Sequence, residues 1–192
     1  RNGQKKASIK AHSDKTKDMP RNGLLAFTTF YDTSNMSTKH KPNGLFDICY
    51  NNKNISALTR LYFKLKPEAA LENPNLIKEF DVTLYPNSVF IIPLSTNRLY
   101  THEIRPSSLP IDKMFRRLGY VIRCSNTEAI FKDNQTYIIN EKEELIKLEP
   151  ITKENETKIR ELYLIENKTP QIVSYNNIYF SMNKGDYMKP IV

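Results

Sequence analysis

Leu24-Leu25-Ala26-Phe27-Thr28-Thr29-Phe30-Tyr31 is the stretch on which the fold turns. Its aromatic and β-branched side chains suit a pleated surface and lose rotamer freedom in a helix, so it predicts a strand. Just upstream, Lys15 to Gly23 carries Pro20 and Asn22-Gly23, a turn signal, and before that Ala7 to His12 predicts a second strand. Downstream, Leu45 to Tyr50, Thr59 to Leu65, Ser88 to Pro93, Leu99 to Ile104 and Leu118 to Cys124 predict further strands, punctuated by Pro, Asn, Gly and Ser. Short strands at this density, with almost no helical period, point to a mainly β sandwich, jelly-roll or barrel.

Two regions interrupt the pattern. Glu68 to Lys78 has Pro67 before it and Pro74 inside it, which leaves room for a short helix or a loop. After Cys124 the character changes: Thr152 to Ile165 is rich in Lys and Glu, with Ile159, Leu162 and Ile165 at helical spacing, and Gln171 to Met182 predicts a strand. The expected organisation is a β core over 1–125 and a short α/β extension over 126–192 packed on it.

The composition of the 192 residues, 39% apolar with 9 Phe and 11 Tyr, supports one domain with a substantial core. No apolar run reaches the roughly 18 residues of a membrane span, and the first residues do not read as a signal peptide. Cys49 and Cys124 are too few to staple such a chain and form no CxxC pair, so two reduced cysteines in an intracellular protein are expected. Sequons begin at Asn35, Asn54, Asn134, Asn155 and Asn167, but 19 residues are Asn, and chance sequons rise with that excess. A net charge of +8 and a pI near 9.3 favour an acidic partner, with nucleic acid the first choice and a merely solvated surface the alternative.

The chemistry-bearing residues cluster in pattern rather than in number. His12-Ser13-Asp14 puts an imidazole and a carboxylate two positions apart, and in extended chain such residues point to one side. His102 lies in a β-prone run where alternation groups it with Tyr100 and Ile104. Two histidines and one carboxylate are the ligands of the facial triad that holds non-haem Fe(II) with positions left open. His40 sits in the polar run Ser37-Thr38-Lys39-His40-Lys41-Pro42 and is expected to be exposed. Arg117 and Arg123, six residues apart, share one strand face with Gly119 and Val121. Turned inward, two arginines need anionic partners, and a dicarboxylate ligand would supply them.

His12-Ser-Asp14-Lys15, Asp18-Met-Pro-Arg21, the strand from Leu24, Arg98-Leu-Tyr-Thr-His102-Glu-Ile-Arg-Pro106 and Arg117-x5-Arg123 together resemble the AlkB family of Fe(II)/2-oxoglutarate dioxygenases over roughly residues 1–125. The resemblance implies a double-stranded β-helix (jelly-roll) core with iron held by His12, Asp14 and His102. It implies that Arg117 pairs with the distal carboxylate of 2-oxoglutarate and that Arg123 lies by the carboxylate next to the keto group. It further implies that molecular oxygen and 2-oxoglutarate are consumed to hydroxylate a C–H bond, releasing formaldehyde when that bond belongs to an N-methyl group. A modified base in nucleic acid is the expected substrate.

Several features depart from the family. Its Asn-x-Tyr pair is absent: Arg1-Asn2-Gly3 resembles the residues just after it, so the chain is expected to begin inside the domain, with the nucleotide-recognition lid upstream. The interval from Asp14 to His102 is long, with Thr33 to Asn43 and Lys66 to Val82 as expected insertions, and the segment after Ser125 has no family counterpart. Two other readings stand beside this one: a 2-oxoglutarate-dependent hydroxylase of a protein side chain or small molecule, and a non-catalytic β-sandwich binding or structural protein.

Overall fold

The computed structural model describes residues 6–50, 55–140, 142–176 and 178–190. The Arg1-Asn2-Gly3 start and the Asn54 sequon lie outside them. The described residues are mainly β, 37% strand and 20% helix.

Seven strands build the centre. One sheet contains β1 (Ile9–His12), β6 (Arg60–Leu65), β7 (Glu79–Thr83) and β9 (Tyr100–Ile104) in the order β1-β9-β6-β7. The other contains β2 (Leu24–Asp32), β8 (Ser88–Pro93) and β10 (Arg116–Arg123) in the order β10-β2-β8. All pairings are antiparallel, and the chain passes repeatedly from one sheet to the other. The sheets meet through one core: Leu25 and Phe27 of β2, Leu61, Phe63 and Leu65 of β6, Ile92 of β8, and Tyr100 and Ile104 of β9 are all buried in it. Strand parity explains the selection, because each inward residue is separated by two along its strand. Tyr31 adds a polar tie between the sheets: its hydroxyl accepts from Thr59 N at 2.8 Å and donates to the Leu84 carbonyl at 2.9 Å. The outer face of the three-stranded sheet stays apolar in solvent, with Leu24, Phe30, Val89, Ile91, Leu118, Tyr120 and Ile122 exposed.

Two smaller sheets flank the centre. The first joins β3 (His40–Asn43), β4 (Asp47–Tyr50) and β5 (Ile55–Ser56), and the second is the meander β11 (Glu128–Lys132), β12 (Gln135–Ile139) and β13 (Leu145–Lys147). The helices are α1 (Pro67–Glu72), α2 (Leu94–Leu99) and α3 (Lys153–Lys168). Pro67 occupies the first turn of α1, where its missing N–H costs nothing. Thr152 caps α3 by accepting from Asn155 N, and Lys168 stands at the negative end of its dipole. Among the described residues no helix is long and apolar enough to cross a membrane.

Of the segments expected as insertions, Thr33 to Asn43 ends in β3, and Lys66 to Val82 contains α1 and most of β7, the edge strand of the four-stranded sheet. Other expectations are corrected. His40 is 5% exposed rather than solvated. Its ring lies 4.9 Å from both Tyr50 and Phe115, and its Nδ1 accepts from Ser37 N, so the polar run folds over a local apolar cluster. Gln171 to Met182 forms no strand among its described residues. Ile178 and Phe180 instead pack on α3, and the Tyr179 carbonyl accepts from Glu149 N at 2.7 Å. On α3 itself the buried side chains are Ile159, Tyr163 and Glu166, while Ile165 is exposed. The inward stripe is thus rotated by about one position from the apolar spacing in the sequence.

Candidate metal and anion site

β1 and β9 are adjacent antiparallel strands, and their register makes His12 and His102 direct partners. The register shifts by one residue between Ile9 and His12, and this bulge aims the end of β1 at the partner histidine. The two rings lie 4.5 Å apart, centroid to centroid. Just beyond β1, Asp14 turns its carboxylate between them: Oδ1 is 3.4 Å from His12 Nε2 and 3.6 Å from His102 Nε2. One ligand atom from each of the three residues lies within 4.8 Å of the others.

The hydrogen-bond pattern orients these groups. His12 Nδ1–H donates to the Lys10 carbonyl at 2.8 Å, which turns Nε2 toward Asp14, 3.4 Å away. His102 is packed between Phe27 and Phe63, at centroid distances of 5.6 and 5.9 Å, and its Nδ1 has no hydrogen-bond partner among the described residues. Burial pushes the His102 pKa down to about 4 against the pull of Asp14, so at neutral pH the ring is the neutral base a metal requires. For Asp14 the largest single effect, burial, raises the pKa. The hydrogen bond from His12 and the charge and hydrogen bond of Arg123 help to outweigh it and keep the carboxyl below its ordinary range. The hydrogen bond to Asp14 raises the His12 pKa, partly opposed by burial.

With a cation displacing the proton that His12 shares with Asp14, the two Nε2 atoms and the ionised carboxylate would form a donor set suited to a divalent transition metal. Ligands about 2.1 Å from a centre and at right angles to each other lie ~3.0 Å apart; the Asp14 oxygen is 3.4 and 3.6 Å from the two Nε2 atoms and the three ligand atoms lie within 4.8 Å of one another, so the side chains would draw inward to close on one ion. The three residues therefore could hold a metal ion.

β10 crosses the opening of the site. Arg123 Nη2 donates to Asp14 Oδ2 at 2.7 Å, dividing the carboxylate: one oxygen faces the histidines and the other is held by a guanidinium. Arg117, Gly119, Val121 and Arg123 line a pocket of about 210 Å³ together with His12, Asp14, His102 and Phe27. A Cβ on Gly119 would run into the Arg117 guanidinium and come within 3.1 Å of the Thr28 carbonyl oxygen, so glycine here leaves room for the folded-back arginine. Lys15 is close enough to Arg160 and Arg123 for their charges to lower its pKa, with burial the larger cause. Arg117 and Arg123 thus share this pocket with the Asp14 carboxylate and the two histidines.

A larger hollow of about 400 Å³ lies elsewhere, between 55–62 and 104–114. Its arginines are already neutralised, Arg60 by Asp81 and Arg105 by Glu79 and Glu103, so the smaller pocket is the chemically equipped one.

All five expected site residues are brought to this pocket, and His40 stands apart from it. Sequence reasoning missed the groups that hold the ligand-bearing loop. Asn97 Oδ1 accepts from Asp14 N and Asn97 Nδ2 donates to Asp14 O, both at 2.8 Å. Asn167 Oδ1 accepts from Ser13 N at 2.8 Å, and Glu166 accepts from Thr16 N at 3.3 Å and from Thr16 Oγ1. Each is a single polar residue 83 to 154 positions from its partner, and no local pattern announces it.

No family model, curated protein or solved structure matches this chain.

Proposed function

We propose that this chain is an Fe(II)/2-oxoglutarate-dependent dioxygenase with a double-stranded β-helix core, acting by oxidative demethylation or hydroxylation on a modified base in nucleic acid. The observation that carries the proposal is the convergence of the His12, Asp14 and His102 ligand atoms within 4.8 Å, in a pocket also lined by Arg117 and Arg123. A metal-binding trio alone would fit many hydrolases and binding proteins. An arginine-lined recess beside it fits a co-substrate carrying carboxylates.

The alternation of the chain between two antiparallel sheets supports the jelly-roll reading, since a simple meander would keep consecutive strands in one sheet. His12, Asp14 and His102 would hold the iron. Bound there, iron would supply the redox chemistry that couples decarboxylation of 2-oxoglutarate to oxygenation of a C–H bond. Arg123 keeps one oxygen of Asp14 occupied and so directs the other toward the histidines. Arg117 would pair with the distal carboxylate, in the space that Gly119 leaves open. Phe27 and Phe63 exclude water from the inner side of His102.

At about 210 Å³ the pocket is below the ~300 Å³ at which sites for drug-sized ligands begin. It suits a small diacid, with the substrate meeting the site at its open side. The net charge of +8 would favour the approach of a phosphate backbone. A base would have to leave its stack to reach the metal.

The test is incubation with Fe(II), 2-oxoglutarate and single-stranded oligonucleotides carrying N-methylated bases, following succinate, formaldehyde and oligonucleotide mass. Coupled succinate and formaldehyde release supports the reading. Turnover on peptides alone would replace the substrate class, and no 2-oxoglutarate consumption with any substrate would count against the enzyme class.

A further inference from the structure

The C-terminal end of α3 bears on the metal site. Residues 13–16, which carry Asp14, have no strand of their own. Their backbone is held by side chains from elsewhere: Ser13 N by Asn167, Asp14 N and O by Asn97, Thr16 N by Glu166. Asn167 is fixed in turn, its Nδ2 donating to the Tyr163 carbonyl at 2.9 Å one turn back in the helix. The buried Lys66 completes the assembly. Its Nζ donates to the Glu166 carbonyl at 2.5 Å, the Thr169 carbonyl at 3.1 Å and the Asn97 carbonyl at 3.4 Å. An ammonium at the carbonyl end of a helix meets both the unpaired acceptors and the negative end of its dipole. Lys66 thus joins the end of α3 to the same Asn97 that grips Asp14.

We infer that Asn167 and Glu166, at the end of α3, are positioning residues of the metal centre: they set the path of residues 13–16 so that the Asp14 carboxylate meets both histidines, and metal affinity depends on them although neither touches the metal. The inference rests on the assignment of His12, Asp14 and His102 as ligands. It gives α3 a role that a mere decoration would lack. Outer groups that orient ligands are typically worth about 10–100-fold in metal affinity.

The experiment is a Co(II) titration of the full chain, read by the visible ligand-field bands, for wild type, Asn167→Ala and Asn167→Asp, with metal-free thermal melting alongside. The expected result is a Co(II) Kd raised roughly 10–100-fold in Asn167→Ala with altered bands, and recovery of most of that loss in Asn167→Asp, which keeps an oxygen acceptor for Ser13 N. A helix that only stabilises the fold would lower the melting temperature and leave Kd and bands unchanged, which would overturn the inference. Glu166→Gln and Glu166→Leu form a second pair should Asn167→Ala fail to fold. Glutamine keeps an acceptor for Thr16 and should retain affinity that leucine loses; equal affinity in the two overturns the inference. If wild type binds no Co(II), the ligand assignment itself falls, a result distinct from equal binding by wild type and variants.

Discussion

Asn97 holds Asp14 by both of its backbone polar groups, accepting from the N–H and donating to the carbonyl at 2.8 Å in each case. This reciprocal pair replaces the ladder that β1 lost when it ended at His12, and Asn97 is itself only 1% exposed. Removing the amide would orphan two buried main-chain groups, at about 1–3 kcal/mol each. Asn97→Ala is therefore expected to lower the urea midpoint strongly with an unchanged m-value, and to weaken metal binding as well.

Lys66 makes stability depend on pH. Burial pulls its pKa from the ordinary 10.5 down to about 8. Between those values the unfolded lysine holds a proton that the folded one has released, so the unfolded chain binds more protons and stability rises with pH. Below about pH 8 both states are protonated and the full penalty of ~3 kcal/mol applies. Urea unfolding from about pH 7.5 to 9.5 should show the rise in wild type and not in Lys66→Met. Above pH 10 Tyr163, raised by burial to about 12, works in the opposite direction.

Gly119→Ala should damage co-substrate binding more than metal binding. The new methyl group would displace the Arg117 guanidinium and crowd the Thr28 carbonyl at 3.1 Å. Stabilisation by N-oxalylglycine, the inert analogue of 2-oxoglutarate, is expected to be lost while Co(II) affinity is retained. Equal loss of both would mean that Arg117 and the metal ligands move as one unit.

His40 provides the control for a histidine outside the site. His40→Ala removes a ring packed on Tyr50 and Phe115 and a hydrogen-bond acceptor for Ser37 N, at about 2 kcal/mol. A lower melting temperature with unaltered Co(II) affinity is expected; loss of metal binding would show that the wrong histidines have been assigned.

Much of the architecture was legible where local chemistry and tertiary context agree. The aromatic and β-branched run at Leu24 and the bounded runs at Ser88, Leu99 and Leu118 all became strands, because each carried its own propensity and its own punctuation. β3 and β7 were not legible. His40–Asn43 contains a proline and three polar residues and owes its conformation to a neighbouring strand, whereas Glu79–Thr83 does alternate polar and apolar residues but falls largely within the expected insertion from Lys66 to Val82. Gln171 to Met182 fails in the opposite sense: it has β-prone side chains, but Ile178 and Phe180 are drawn onto α3. The side-chain direction of the site was readable because two- and six-residue spacings preserve strand facing. Lys66, Asn97, Glu166 and Asn167 were not, since what they grip is backbone, and backbone groups leave no mark in a sequence.

The central claim is that His12, Asp14 and His102 hold a metal beside a recess for a diacid. Thermal melting of wild type and Asp14→Ala with Mn(II), with N-oxalylglycine, and with both tests it most directly. A ligand at 100 times its Kd stabilises the folded state by about 2.7 kcal/mol, enough to move the transition by several degrees. The account predicts a rise with Mn(II), a larger one with both ligands, and neither in Asp14→Ala. No rise in wild type, or the same rise in Asp14→Ala, would contradict it.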